Sequence, residues 1–311
     1  MDVSFIVIAY NEEKAIAHTV RAIMAQQGLA NYEIVLVNDG SRDNTLRIVR
    51  DMQAKHPQIK IIDQENKGRG AARAAGVAAA TGRYFAFVDG DITLPVDWLQ
   101  QCMPYMQSYD ACGGIAVPDG DVAYVHGLLR LTPKVAEHST TVTGSNGLFK
   151  REVFDTVSFD PKKRNGEDVA LGYQITAAGF TTLTVPGLLV EHNEAKTYIG
   201  SLGWLFESGR GASRQFYEHK EVRLPDLAFF GFVVIALVAI IACCLVPGLW
   251  WLALLVVAGY ITASSAMHLH GKFKLARTPL KSVAGLLVND TLLFAYYLGR
   301  SLGMAIEWKR T

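Results

Sequence analysis

The sequence predicts an α/β domain with a mostly parallel sheet, followed by C-terminal transmembrane helices. Short apolar runs alternate with helix-period segments from residue 3 to residue 88, the β-α-β-α order that builds a parallel sheet covered by helices. Residues 226–268 are almost continuously apolar, whereas 1–224 carry an ordinary mixture of charge. The 311 residues have a formal net charge of +1, so no basic field points to nucleic acid. The expected division is an α/β domain over 1–200, a juxtamembrane interface segment over 201–225 and a membrane domain over 226–311.

The elements follow in order. Val3–Ile8 is a short apolar run, and Glu12–Gln26 repeats apolar residues at helical spacing through Ile16, Val20, Ile23 and Met24. Glu33–Val37 reads as a second strand and Thr45–Met52 as a second helix. Ile59–Ile62, the alanine-rich stretch 70–80 and Tyr84–Val88 complete the alternation. The cysteines Cys102, Cys112, Cys243 and Cys244 form no CxxC pair, which argues against a disulfide framework or zinc site. Met1 leads directly into the first strand without a basic n-region or cleavage site, so no signal peptide is expected.

In open sheets of this kind, ligands bind beyond the carboxyl ends of the strands. Strand one ends in Ala9-Tyr10-Asn11-Glu12, strand two in Asn38-Asp39-Gly40-Ser41, and the strand at 84–88 in Asp89-Gly90-Asp91. Three polar clusters therefore converge on one edge. No GxGxxG or GxxxxGK[ST] loop follows any of these strands, so a bound nucleotide needs other charge neutralisation. A carboxylate pair holding Mn²⁺ or Mg²⁺ supplies it, because both cations take oxygen ligands and bridge carboxylates to phosphates. An isolated Asp-Gly-Asp also marks an ordinary turn.

The segments VSFIVIAYNEE, EIVLVNDGSRDNT, ENKGRGAARAAGVAAATG and YFAFVDGDITLP, in this order and spacing, resemble the family 2 glycosyltransferases. The resemblance covers roughly residues 3–195. It implies the Rossmann-like nucleotide-sugar fold called GT-A, a DxD motif and a nucleotide-sugar donor. It also places Ala9, Tyr10 and Glu12 in the nucleobase and ribose pocket, Asp39 on the base, usually a uracil, and Arg69 near the donor. Asp89 would meet the ribose or the metal, Gly90 would line the donor site between the two carboxylates, and Asp91 would meet the metal and diphosphate.

The second half of the domain resembles the family's acceptor region. GSNGLFKRE, residues 144–152, matches the segment beneath the acceptor, and NGEDVALGYQITAAGF puts Glu167-Asp168 in a first helical turn. There carboxylates also serve simply as dipole complements. The resemblance makes Asp168 the general base and matches His192, after VPGLLVE, to a histidine that completes the metal shell. Processive relatives carry a QxxRW motif; SGRGASRQFYEH here contains Arg210 and Arg214 but no RW, so addition of one sugar is expected. Arg210, Arg214, Lys220 and Arg223 suit anionic headgroups or an acceptor diphosphate, and equally suit ordinary charged flanks of a span.

Residues 227–246 and 249–267 contain no charged residue and are of spanning length, separated by Pro247-Gly248 with Trp250 and Trp251 at the turn. Lys272, Lys274, Arg277 and Lys281 follow, which by the positive-inside rule places that loop, and with it the catalytic domain, on the cytoplasmic side. A third run, 282–306, is broken by Asn289-Asp290 and Arg300, leaving a crossing or an interfacial position open. A multi-pass enzyme in the cell membrane with a polyprenyl-linked acceptor is the expectation. Asp168 favours an acceptor hydroxyl, since a polyprenyl phosphate is already ionised and needs no base. A polyprenyl-phosphate sugar synthase, a nucleotidyltransferase and a non-enzymatic scaffold are the rivals.

Overall fold

The computed structural model describes residues 2–118, 144–193, 197–213, 224–246, 248–272, 291–292 and 294–304. The chain divides into two compact units, one of residues 1–119 with 132–195 and a second of 120–131 with 196–311. In the first unit the chain runs β1 (Val3–Ala9), α1 (Ile16–Met24), β2 (Tyr32–Asp39), α2 (Thr45–Gln53), β3 (Ile59–Gln64), α3 (Arg69–Ala79) and β4 (Tyr84–Asp89). It continues through β5 (Ile92–Thr93), α4 (Trp98–Cys102), β6 (Ala111–Pro118), β7 (Asn146–Lys150), α5 (Glu167–Ala177) and β8 (Thr182–His192). The strands form one eight-stranded sheet in the order β3-β2-β1-β4-β7-β6-β8-β5.

β1 pairs in parallel with β2 and β4, β2 with β3, and β6 with β8, while β7 runs antiparallel between β4 and β6. The parallel half has the expected cause: β1 is buried at every position, as β2 is from Glu33 to Asp39, so these strands read as continuous apolar runs rather than alternations. Strands three and four of the parallel half extend to Gln64 and Asp89, carrying their polar ends into the sheet. α1 begins at Ile16, later than the expected Glu12. The Glu12 N–H donates to Thr45 Oγ1 at 2.7 Å and the Glu13 N–H to Asp43 Oδ2 at 3.1 Å, so both residues belong to the loop.

α3 is made of small residues because it lies very close to the sheet and to the 160–164 loop. A Cβ on Gly76 would sit 2.3 Å from Ile6 Cγ2, and one on Gly70 would sit 2.3 Å from the Asp160 carbonyl oxygen. At the foot of the sheet, Glu33 is buried. Its Oε1 accepts from the Ser4 hydroxyl at 2.6 Å and from the Thr81 N–H and hydroxyl, both at 2.7 Å, while Lys60 pairs with its other oxygen. Burial pushes this carboxyl up, but the Lys60, Ser4 and Thr81 donors together outweigh it and hold it down to about 2.

The second unit contains α6 (Tyr198–Ala212), α7 (Leu224–Leu245), α8 (Trp251–Lys272) and helical residues 294–304. α7 and α8 form where the apolar hairpin was expected and are joined through Gly248 at φ +106. Unbroken runs with described side chains are 229–245 in α7 and 251–262 in α8. Among the described residues no helix is long and apolar enough to cross a membrane. The basic loop at Lys274, Arg277 and Lys281, the side chain of Lys272, the residues Arg214, Lys220 and Arg223, and 282–290 of the third run lie outside the described residues.

Arg300, which interrupts that third run, is buried with its charge matched. Its Nε and one terminal nitrogen meet the Asp226 carboxylate at 2.8 and 3.0 Å, and the other donates to the Ala212 carbonyl at 2.6 Å. Glycines allow the helices to meet backbone to backbone here: a Cβ on Gly299 would lie 2.0 Å from the Phe206 carbonyl oxygen. In the same unit Phe229, Phe232, Tyr260, Phe294 and Tyr297 pack ring against ring, edge-on, tilted and, for Phe229 and Tyr297, stacked.

Two stability measurements follow from these pairs. Glu33→Gln should cost about 2–3 kcal/mol in urea unfolding at pH 7. Because the folded carboxyl is depressed, its contribution is complete above the ordinary 4.5 and disappears as pH falls toward 2, so the wild-type and variant curves should converge across that window. Arg300→Met, which strands a buried Asp226, should cost about 3–5 kcal/mol, and the double change with Asp226→Leu should recover most of it in thermal unfolding.

Candidate functional site

The polar ends of β1, β2 and β4 meet, and hydrogen bonds between loops make the edge rigid. After β1, Asn11 adopts φ +59, its N–H donates to Ser41 Oγ at 3.0 Å, and its Oδ1 accepts from the Arg42 N–H at 2.8 Å. Glu13 Oε2 accepts from the Asn44 N–H and side-chain amide at 3.0 and 2.9 Å, which lowers its carboxyl from the ordinary value. Burial raises the Asp43 carboxyl, but Thr45 and Glu13 donors outweigh it and leave it lowered too. The two loops are thus braced into one shelf, from which the Tyr10 ring stands 44% exposed. Ala9 ends β1 beneath it and is buried.

Asp39 is buried at the end of β2, and both its carboxylate oxygens are engaged. Oδ1 accepts from Gln64 Nε2 at 2.7 Å and the Lys67 N–H at 3.0 Å, and Oδ2 from the Gly68 N–H at 2.9 Å. It therefore shapes the 64–68 loop, which turns at Gly68 with φ +93 to begin α3. Arg69, the first residue of α3, is exposed.

Gly90 is the pivot between β4 and β5. Its N–H donates to the Ile8 carbonyl at 2.9 Å and its carbonyl accepts from the Thr19 hydroxyl at 2.9 Å. A Cβ here would crowd Ala9 Cβ and the Ile8 oxygen at 3.1 Å and Glu12 Cγ at 3.2 Å. The absence of a side chain lets β1 and β4 end side by side and sends the two flanking aspartates to different partners.

Asp91 meets His192: the imidazole Nε2 lies 3.0 Å from Asp91 Oδ2, and both side chains are partly exposed. The pairing follows from the sheet, since β5 runs antiparallel to β8 with Ile92 opposite His192. The Asn193 N–H and side-chain amide hold the Asp91 carbonyl at 2.8 and 3.1 Å. Asp89 instead meets Arg73, whose guanidinium lies 2.8 Å from Asp89 Oδ1 and also pairs with Glu167 Oε1. Among the described residues no group of three or more His, Cys, Asp or Glu side chains gathers for a cation, so the expected Asp89-Asp91-His192 shell appears as an Asp91-His192 pair with Asp89 tied elsewhere. The Asp91 carboxylate suits Mn²⁺ or Mg²⁺, and the imidazole would add one nitrogen ligand, leaving the remaining positions to other oxygen ligands.

Asp168 stands in the first turn of α5, behind Gly166 at φ +73, and its Oδ1 accepts from the Val169 N–H at 2.8 Å. Its neighbour Glu167 is fully buried against Arg73. Arg73 is the site residue that motif reading does not single out. Its signal was modest: a long charged side chain one helical turn after Arg69, in a stretch otherwise made of glycine, alanine and valine.

Fold and site together define an α/β transferase domain of the GT-A type. The chain belongs to glycosyltransferase family 2: residues 4–158, about half of it, match the model described as "Glycosyl transferase family 2". An uncharacterised glycosyltransferase of Nostoc sp. is 33% identical over 52% of this chain and 55% of its own length. A dolichyl-phosphate beta-glucosyltransferase of Trichomonas vaginalis is 35% identical over 40% of this chain and 39% of its own. The chain thus spans about half, or less, of the length of these curated relatives. The mannosyltransferase PcManGT from Pyrobaculum calidifontis, solved with GDP-Man and Mn²⁺, shares the fold with a TM-score of 0.62 at 19% identity, covering 99% of this chain and 88% of that one.

Asp39→Asn replaces an acceptor with a donor amide facing two N–H groups. It should destabilise the domain by about 1–3 kcal/mol in urea unfolding without any ligand present, and speed amide exchange at Lys67 and Gly68.

Proposed function

We propose that this chain transfers one sugar, with inversion, from a uridine-linked nucleotide sugar to a hydroxyl of a lipid-linked acceptor at the cytoplasmic face of the cell membrane. The observation that carries the reading is the Asp89–Arg73–Glu167 bridge, which brings the residue next to Asp168 to the end of β4. A candidate base and a candidate donor site thereby belong to one constellation.

The exposed Tyr10 offers a face for the base, on a shelf that hydrogen bonds between loops keep from collapsing. Ala9 and Glu12 bound that shelf at the end of β1, and Arg69 lies on the side from which α3 begins. Asp91 and His192 would hold the divalent cation, which when bound screens the diphosphate and assists its departure. Asp168 takes the proton from the acceptor hydroxyl as its oxygen attacks C1; the bond from C1 to the diphosphate breaks, and the nucleoside diphosphate leaves from the opposite face. Asp39 acts beneath the donor by fixing the loop at 64–68.

A lipid-borne acceptor is supported by the exposed apolar side chains of the second unit. Leu227, Phe230, Ile235 and Val238 on α7, and Leu254 and Leu255 on α8, are all more than half exposed. So large an apolar surface suits acyl chains. The Trichomonas relative, named for dolichyl phosphate, favours a second reading in which the lipid phosphate itself is the nucleophile.

The test is release of nucleoside diphosphate by the detergent-solubilised full chain, given a panel of nucleotide sugars, Mn²⁺ or Mg²⁺ and a polyprenyl-lipid extract. Turnover should require metal and be lost in Asp91→Ala. Asp168→Asn should lower kcat by about 10²–10⁴ if a hydroxyl is the acceptor and leave it nearly unchanged if a phosphate is. Metal-dependent pyrophosphate release would instead identify a nucleotidyltransferase, and no turnover with no donor binding would overturn the enzymatic reading.

A further inference from the structure

We propose that Arg73 is a positioning residue that holds Asp168 at a fixed place relative to the donor by clamping Glu167 to Asp89. The inference rests on the reading of Asp168 as the base. The Arg73 side chain is 3% exposed and Glu167 1%, and one terminal nitrogen of the guanidinium serves each carboxylate. Its plane is fixed from outside the pair as well. A Cβ on Gly144 would lie 2.8 Å from Arg73 Cζ, so that glycine lets the backbone approach the guanidinium, and the Phe159 ring lies 5.8 Å from it.

Stability alone does not account for this arrangement. A buried ion pair gains little over apolar side chains of similar size, because desolvation offsets its attraction. Here it also leaves Arg73 Nε and Glu167 Oε2 buried without a hydrogen-bond partner among the described residues. What the pair achieves is geometric. α3 contributes the guanidinium, β4 one carboxylate and α5 the other, so three elements are locked at a common point. Asp168 follows Glu167 directly in the first turn of α5, and a clamp on Glu167 limits how that turn can tilt. Lysine cannot replace the fork, because one ammonium cannot present two fixed parallel donors to carboxylates on different elements.

The experiment compares wild type, Arg73→Lys, Glu167→Gln and the double change Arg73→Met/Glu167→Gln, which leaves no buried charge on α5 unpaired. Each is made as the full chain with and without Asp168→Asn. Uridine diphosphate affinity is measured by calorimetry with Mn²⁺, and kcat by nucleoside diphosphate release. The proposal expects the folded double variant to bind uridine diphosphate within about threefold of wild type while kcat falls about 100-fold, with Arg73→Lys failing to restore it. Its loss should not multiply with that of Asp168→Asn, because both act through one group. If the double variant does not fold, Glu167→Gln carries the same expectation with a loss of about tenfold.

A folded double variant with wild-type kcat overturns the proposal, as does a loss that multiplies fully with Asp168→Asn. Normal turnover by the single variant Asp168→Asn removes the base reading itself, and the positioning role falls with it. Activity in wild type together with an unaffected Arg73 series separates failure of the clamp from failure of the enzyme.

Discussion

A guanidinium taken out of water must find its charge answered within reach of its own nitrogens, and Arg73 imposes that condition on everything around it. Unpaired, such a group costs several kcal/mol, so the end of β4 and the first turn of α5 must each deliver a carboxylate to it. That requirement fixes which way Asp89 turns. It also dictates the composition of α3. A helix that brings Arg73 so deep lies almost against the sheet, where Gly76 leaves room for Ile6, and against the 160–164 loop, where Gly70 leaves room for the Asp160 carbonyl. The backbone at Gly144 is drawn in by the same group. Small residues at these positions are therefore consequences of one buried charge.

The loops after β1 and β2 are built on the opposite principle, with rigidity from many weak hydrogen bonds. Asn11, Ser41, Asp43, Thr45 and Asn44 take part in hydrogen bonds across two loops, each individually weak. Their combined effect is to prevent the loops from relaxing over the strand ends. Asp39 does the same for the loop after β3, where one carboxylate satisfies two backbone N–H groups that would otherwise need water. Preorganised loops of this kind lower the ordering cost of binding a nucleotide, which is where rigidity acts on function.

The parallel half of the fold was legible in the sequence because its signal is local. Buried strands write themselves as apolar runs such as Phe5–Val7 and Ile34–Val37, and the rule for strand ends then gathers their polar ends on one edge. The antiparallel insertion of β7 was not legible, because it depends on pairing Asn146–Lys150 with β4 across a long separation. The family resemblance put Asp91 and His192 on one metal shell, yet the physical cause of their contact, the pairing of two-residue β5 with the far end of β8, has no local signature. Arg73 was missed for a related reason. An arginine on an alanine-rich helix reads as solvated, and only the tertiary approach of Glu167 from residue 94 positions later makes it a buried one. The start of α1 moved for the same kind of cause, since side chains from the β2–α2 loop capture the N–H groups of Glu12 and Glu13.

Arg300 and Asp226 show that the second unit solves a similar problem with different emphasis. An arginine inside an apolar run is tolerable only when its charge is answered, and here the Asp226 carboxylate pairs with it while a helix-terminal carbonyl accepts from one of its terminal nitrogens. The carbonyl belongs to Ala212, at the end of α6, where backbone oxygens lack partners within the helix. One side chain therefore answers a carboxylate near the start of α7 and an orphaned acceptor at the end of α6 together. Apolar surroundings make the exchange stricter, because water is not there to replace a lost partner. Glycines at the crossing bring the backbones near enough for those bonds to form, so close packing and charge matching depend on each other in this unit as they do around Arg73.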